Sequence, residues 1–226
     1  MAVIGNLIRD IRKLGLEINR EFPLAEFAVL FHAVKNLPIG DGGMLTTDDP
    51  SVYERLMRLR WMGIDRSTFQ RNAEGYQWQY EVDEVGYKYH MNDVAAAVGL
   101  AQLKHVEQWN ERRRALRAIY KRRLSDLAPR GLRFVEDTDG AVSASHLCAI
   151  RVPDRDRLID HLRREGIGTG VHYRPNHHYE PYLNDRRGDM SVTDRAYGEL
   201  VSLPLHVLLT DAQALEVSGA VRAALG

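Results

Sequence analysis

A chain of 226 residues with 31 basic (Lys and Arg) and 31 acidic (Asp and Glu) side chains carries no formal net charge, which argues against nucleic acid or an anionic membrane as a general electrostatic partner. A composition 44% hydrophobic and 27% charged is that of a soluble globular protein, long enough for one generous domain or two small ones. No run approaches the ~20 apolar residues of a membrane span. Arg9, Asp10, Arg12 and Lys13 interrupt any signal-peptide core, so a cytoplasmic protein is expected.

Ile4, Leu7, Ile8, Ile11 and Leu14 recur at helical spacing and predict a short amphipathic helix over 4–14, ended by Gly15 and Pro23. FAVLFH (27–32) and GGMLTT (42–47) read as two short strands. Asp48, Asp49 and Pro50 then start a helix carrying Val52, Leu56 and Leu59. From Asp65 to Gly86 the chain is polar and irregular, with Tyr76, Trp78 and Tyr80 among the polar residues. An excursion of that length tends to be functional or mobile.

Asn92 or Asp93 caps the longest predicted helix, in which Val94, Val98, Leu103, Val106, Trp109, Leu116, Ile119 and Leu124 keep a roughly helical period. Its basic cluster (Arg112, Arg113, Arg114, Arg117, Lys121, Arg122, Arg123) reads as a solvated helix face, because no aromatic residues interleave with the charges and the chain is not net basic. Beyond Pro129 and Gly131 the pattern is strand (146–152), helix (155–165), strand (168–173) and helices over 193–200 and 211–224, a compact α+β unit. The single cysteine, Cys148, sits among apolar neighbours in HLCAIRV and reads as a buried small residue, with no internal disulfide partner.

The stretch FHAVKNLPIGDGGMLTTDD concentrates the chemistry. It places Lys35 between a buried strand and a Pro-Ile-Gly-Asp-Gly-Gly turn, where backbone bends sharply and can lie beside a ligand. A buried lysine loses affinity for its proton, and a neutral amine is a nucleophile towards carbonyl groups.

FHAVKNLPIGDGG resembles the lysine motif of the DegT/DnrJ-type nucleotide-sugar aminotransferases, fold-type I pyridoxal-phosphate enzymes. GYKYHMNDVAAAVGLAQL resembles their second hallmark, and GVHYRPNHH with LVSLPLH their third and fourth, in order from about Glu26 to the C-terminus. The resemblance implies an α/β fold: an incomplete fold-type I transferase with a remnant of the large domain and a C-terminal α+β small domain. Residues 1–25 are then a divergent amphipathic segment. Residues 26–90 carry the remnant of the cofactor-binding large domain with the lysine motif, and 91–226 carry a long connecting helix and the α+β domain.

By the same resemblance Lys35 is the catalytic, cofactor-binding lysine. The family's sugar dehydratase branch has histidine there, so lysine favours amino transfer. Lys88 stands where the family usually has an asparagine that reaches the partner subunit's cofactor phosphate, and a lysine can serve there as a point charge. His172, Tyr173 and His177 resemble positions beside the sugar pocket. The competing arrangement, a zinc site from His172, His177 and His178, has no accompanying Cys or carboxylate pattern, and no metal is expected.

The implied activity is pyridoxal 5'-phosphate-dependent amination of a nucleotide-linked keto sugar in polysaccharide or glycoside biosynthesis, with glutamate as donor. The implied assembly is a homodimer, or a complex with a partner carrying the missing N-terminal half. Two departures stand against unaided activity. Only residues 1–34 precede the lysine, where the family has about half its length, and Leu30 replaces a phosphate-binding serine five positions before it. The alternative is a catalytically inactive fragment that serves as an interaction subunit.

Overall fold

The computed structural model describes residues 27–65, 75, 78–185 and 188–226. The helix expected over 4–14, and much of the excursion expected from Asp65 to Gly86, lie outside the described residues. The chain divides into two units, Met1–Val106 and Glu107–Gly226.

In the first unit, strands β1 (Phe27–Leu30) and β2 (Gly43–Thr46) pair antiparallel, with Phe27 opposite Thr46 and Leu30 opposite Gly43. Helix α1 (Pro50–Leu59) starts where the sequence places it. The Asp49 carboxylate accepts from the Ser51 and Val52 amides at 2.8 and 3.3 Å, and Pro50 occupies the first turn, where its missing N–H costs nothing. Hydrogen bonds from Ser51, side chain first, hold the Asp49 carboxyl below the ordinary carboxylate range. Helix α2 (Asp93–Leu103) is capped by Asn92, whose side chain accepts from the Ala95 amide at 2.9 Å. Its Ala96 and Leu103 join Phe31 and Ile39 in a small core, with Leu37, Met44 and Met91 packed around them.

The helix expected without interruption to Leu124 is two helices, α2 and α3 (Val106–Leu124). No proline or glycine marks the break. The His105 amide bonds to the Gln102 carbonyl, three residues back rather than four, which closes α2 in a tight turn. The two apolar stripes serve different cores: Ala96 and Leu103 belong to the first unit's, Leu116, Ile119, Tyr120 and Leu124 to the second's. A helical period read along the sequence does not register that change of partner.

The second unit has a three-stranded antiparallel sheet in the order β3 (Arg133–Phe134), β4 (Cys148–Arg151), β5 (Leu200–Leu203), with helices α3, α4 (Arg155–Arg164) and α6 (Asp211–Leu225) supplying most of the rest of its core. Ile150 faces Val201 in register, and Cys148 faces Leu203. Strand β5 directly follows helix α5 (Ser191–Glu199), whereas the sequence predicts helix to residue 200. The strand expected over 168–173 reduces to a bridge between Gly170 and Ser202. Leu116, Leu124, Leu158, Leu162 and Val221 are fully buried, and burial of each such side chain stabilises the fold by about 1.5–3 kcal/mol.

The Tyr120 hydroxyl, inside this core, donates to the Pro204 carbonyl at 2.9 Å, which satisfies a polar group that burial would otherwise penalise. Along α3, Arg112 pairs with Asp211, Arg114 with Glu107, Arg117 with Asp137 and Lys121 with Glu136, so much of the basic run is engaged by carboxylates.

Burial pushes the Cys148 thiol up to about 12 from 9.0, against the opposing charges of Arg117 and Lys121. The thiolate is the reactive form. Cys148 in the native protein is therefore expected to resist iodoacetamide at pH 8 and to react readily once urea unfolds the chain. Alkylation at the same rate in both states would refute its burial.

Candidate active site

Lys35 sits on the loop between β1 and β2. Phe31, 1% exposed, anchors that loop: its amide donates to the Gly42 carbonyl and its carbonyl accepts from the Ile39 amide, each at 2.9 Å. The Lys35 amide closes a tight turn on the His32 carbonyl at 2.9 Å. The buried ring and the paired strands thus hold Lys35, a half-buried residue, at the head of a short hairpin. Gly40 takes φ +97°, a conformation that glycine adopts without penalty.

Lys88 is held elsewhere in the same unit. Its ammonium lies 3.7 Å from the centroid of the Trp61 ring, a cation–π contact, and Trp61 and Lys88 form a bridge. His90 meets the same indole edge-on at 4.3 Å. Burial, then the charges of Lys88 and Arg60, lower the His90 imidazole below its ordinary range, which favours its neutral form. Tyr87 and Tyr89 stack parallel on the flanks of Lys88, at 4.8 Å and 6°, and both are exposed.

This arrangement depends on two glycines. The Tyr87 carbonyl accepts from Met62, and the Tyr87 and Tyr89 amides donate to Leu59 and Arg60. Gly63 has φ +75°, and a Cβ on it would lie 1.7 Å from the Glu84 carbonyl oxygen; one on Gly86 would lie 2.2 Å from the Gly63 nitrogen. The two backbones touch where a side chain would stand.

In the second unit, the His172 Nδ1 lies 2.9 Å from the hydroxyl of Ser202, itself 4% exposed on β5. The imidazole lies against Gly170, where a Cβ would come within 2.5 Å of the ring. Tyr173 meets His172 edge-on at 4.9 Å and is two-thirds exposed. His177 belongs to a different cluster. Its Nε2 donates to Asp194 Oδ1 at 2.7 Å, and the His178 Nε2 lies 2.8 Å from the same oxygen. The His177 hydrogen bond is the largest of several effects that hold the Asp194 carboxyl below the ordinary range.

His172 and Tyr173 are thus brought together, while His177 joins His178 and Asp194. The zinc arrangement weighed from sequence is not the one formed, because His172 is bound to Ser202 and Asp194 takes the third place. Sequence reasoning missed Asp194, Ser202 and Trp61. Each lies far along the chain from the residue it holds; only Ser202 falls within a motif quoted from the sequence, LVSLPLH, which did not single it out.

A family profile described as the DegT/DnrJ/EryC1/StrS aminotransferase family matches residues 24–222. The uncharacterized protein MJ1066 of Methanocaldococcus jannaschii is 33% identical over 201 residues, covering 85% of this chain and 52% of that protein. Among solved structures, the sugar aminotransferase CalS13 of Micromonospora echinospora superposes with a TM-score of 0.76 at 27% identity, over 87% of this chain and 51% of its own. Spr1654 of Streptococcus pneumoniae in its PLP-form gives 0.73 at 27% identity, over 88% and 51%. The chain spans about half the length of each of these relatives.

Proposed function

From the chain's membership of the DegT/DnrJ/EryC1/StrS aminotransferase family, we propose that it contributes the lysine-bearing part of a pyridoxal-phosphate-dependent aminotransferase acting on a nucleotide-linked keto sugar. The observation that carries this reading is Lys35, a half-buried residue on a loop pinned by Phe31 and Gly42, inside the matched residues. Its primary amine fits the aldehyde of pyridoxal phosphate, which supplies an electron sink when bound.

In this reading Lys35 has two tasks. Its Nζ binds the cofactor, and once the amino donor has taken its place the freed Nζ moves a proton at the donor's α-carbon. The Phe31–Gly42 and Phe31–Ile39 hydrogen bonds keep the hairpin head, and with it the Lys35 main chain, in place. Ser202 and Gly170 orient the His172 ring, and Asp194 holds His177 by its Nε2; both imidazoles and Tyr173 are proposed to face the sugar. Lys88 is proposed to leave Trp61 for a cofactor phosphate when the site is complete. Glutamate is the proposed donor, and a homodimer or a partner carrying the remaining half of the fold is the proposed assembly.

A second reading, an interaction subunit without catalysis, is favoured by the apolar surface of the first unit, where Val85 is 88%, Val94 76% and Trp78 71% exposed. One experiment separates the two. The full chain, alone and mixed with a polypeptide supplying the N-terminal half of a relative, is incubated with pyridoxal phosphate and glutamate, and 2-oxoglutarate is measured. The aminotransferase reading expects about one equivalent per site in the mixture and none with Lys35→Ala. No 2-oxoglutarate from a mixture that forms a stable complex would leave the interaction reading.

A further inference from the structure

We propose that His177, His178 and Asp194 form a binding site for a divalent transition ion of the zinc, cobalt and nickel class. The ligand atoms are the two Nε2 nitrogens and a carboxylate oxygen of Asp194, which lie 2.7 and 2.8 Å apart across the two His–Asp pairs. The site shares His177 and Asp194 with the aminotransferase reading, but it is tested by metal binding alone, which does not depend on amino transfer.

Three features build it. The ligands come from two elements, the 3₁₀ turn Asn176–His178 and the first turn of α5, so they are held from both sides. The two imidazoles, adjacent in sequence, do not stack: their rings stand at 77° with centroids 4.4 Å apart, and both Nε2 atoms converge on one oxygen. His178 is further supported by the edge of Tyr197 at 5.7 Å, and by Arg174, which donates to the His178 carbonyl at 2.6 Å.

The geometry lies close to what an ion requires. Ligands about 2.0–2.1 Å from a tetrahedral ion stand about 3.3 Å from one another, so the two His–Asp pairs open by about 0.5 Å, while the three ligand atoms already lie within 4.8 Å of one another. Each neutral ring then carries its proton on Nδ1, leaving the Nε2 lone pair to the ion. Asp194 supplies a carboxylate oxygen, a donor that binds such ions in its ionised form. Two imidazoles with one carboxylate suit zinc, cobalt or nickel, whereas calcium and magnesium require more oxygen ligands. The side chains of His177, His178 and Asp194 are 15%, 31% and 45% exposed, so water can reach and complete the coordination.

The test is a titration of the untagged full chain with cobalt(II) chloride at pH 7.5, followed by visible absorption, with zinc(II) as competitor. One equivalent is expected to bind with the intense bands of a four- or five-coordinate ion, and zinc is expected to displace it. His178→Gln and Asp194→Asn are each expected to weaken binding by at least about 10- to 100-fold, the range seen when even outer-sphere partners of ligands are removed. His206→Gln, an exposed histidine outside the cluster, is expected to leave binding unchanged. Should a variant fail to fold, nickel(II) broadening of histidine ring resonances in the unaltered chain gives a second readout, with His177 and His178 broadened first. Binding no tighter than millimolar, equal loss with His206→Gln, or broadening spread evenly over all histidines overturns the proposal.

Discussion

Treatment with pyridoxal phosphate followed by borohydride is expected to modify Lys35 before any other described lysine, and Lys35→Ala is expected to abolish the specific adduct. The competing lysines are differently placed. Lys88 holds its ammonium over the Trp61 ring, and Lys121 is paired with Glu136. Among the described residues no ion pair engages Lys35, and its loop is pinned at Phe31. Affinity is expected to be modest, because Leu30 stands where the resemblance implies a phosphate-binding serine. A charge-assisted hydrogen bond contributes about 1.5–3 kcal/mol, or roughly 10- to 100-fold in affinity. Leu30→Ser should therefore tighten pyridoxal phosphate binding by about that factor, while Leu30→Ala should not. Labelling spread evenly over Lys35, Lys88, Lys104 and Lys121, as mapped by peptide mass spectrometry, would remove Lys35 from the site.

The largest structural effect is expected at the contact of Gly63 with residues 84–86. Gly63→Ala meets two costs. An alanine at φ +75° carries backbone strain of about 1–3 kcal/mol. Its Cβ also falls 1.7 Å from the Glu84 carbonyl oxygen, which belongs to the main chain and cannot rotate away. Overpacking adds about 1–3 kcal/mol even where neighbours can shift. The expected outcome is a loss of about 2–6 kcal/mol in the first unit, with faster hydrogen exchange at Met62, Asp83, Tyr87 and Tyr89, the amides that tie the two segments together. Gly40→Ala is the control, since Gly40 has φ +97° but open space around its Cβ position, so only the backbone strain applies. If the two variants melt alike, the close approach of the two backbones is wrong. Because Lys88 follows Gly86 by two residues, Gly63→Ala should also release its ammonium from Trp61, read as a change in tryptophan fluorescence.

Elements governed by near neighbours along the chain are legible in the sequence itself. Asp49 and Asn92 cap their helices because a cap bonds to amides two or three residues ahead, and the short runs at 27–32 and 42–47 mark two strands, which the structure pairs as a hairpin. The position of Lys35 between those strands follows from the same local rules, and the ordered motifs from Glu26 onward carry the family. Tertiary structure decides what depends on distant partners. It breaks the helix at Lys104 and His105, where the apolar stripe passes from one core to another, and makes a strand of Leu200–Leu203 by pairing it with Cys148–Arg151. It also binds Lys88 to Trp61, His172 to Ser202, and His177 with His178 to Asp194. Helical period and capping act over a few residues and are written in the order of the chain. A cation over an indole, or two imidazoles on one carboxylate, are contacts across 16 to 27 residues that exist only once packing has closed the loops between them.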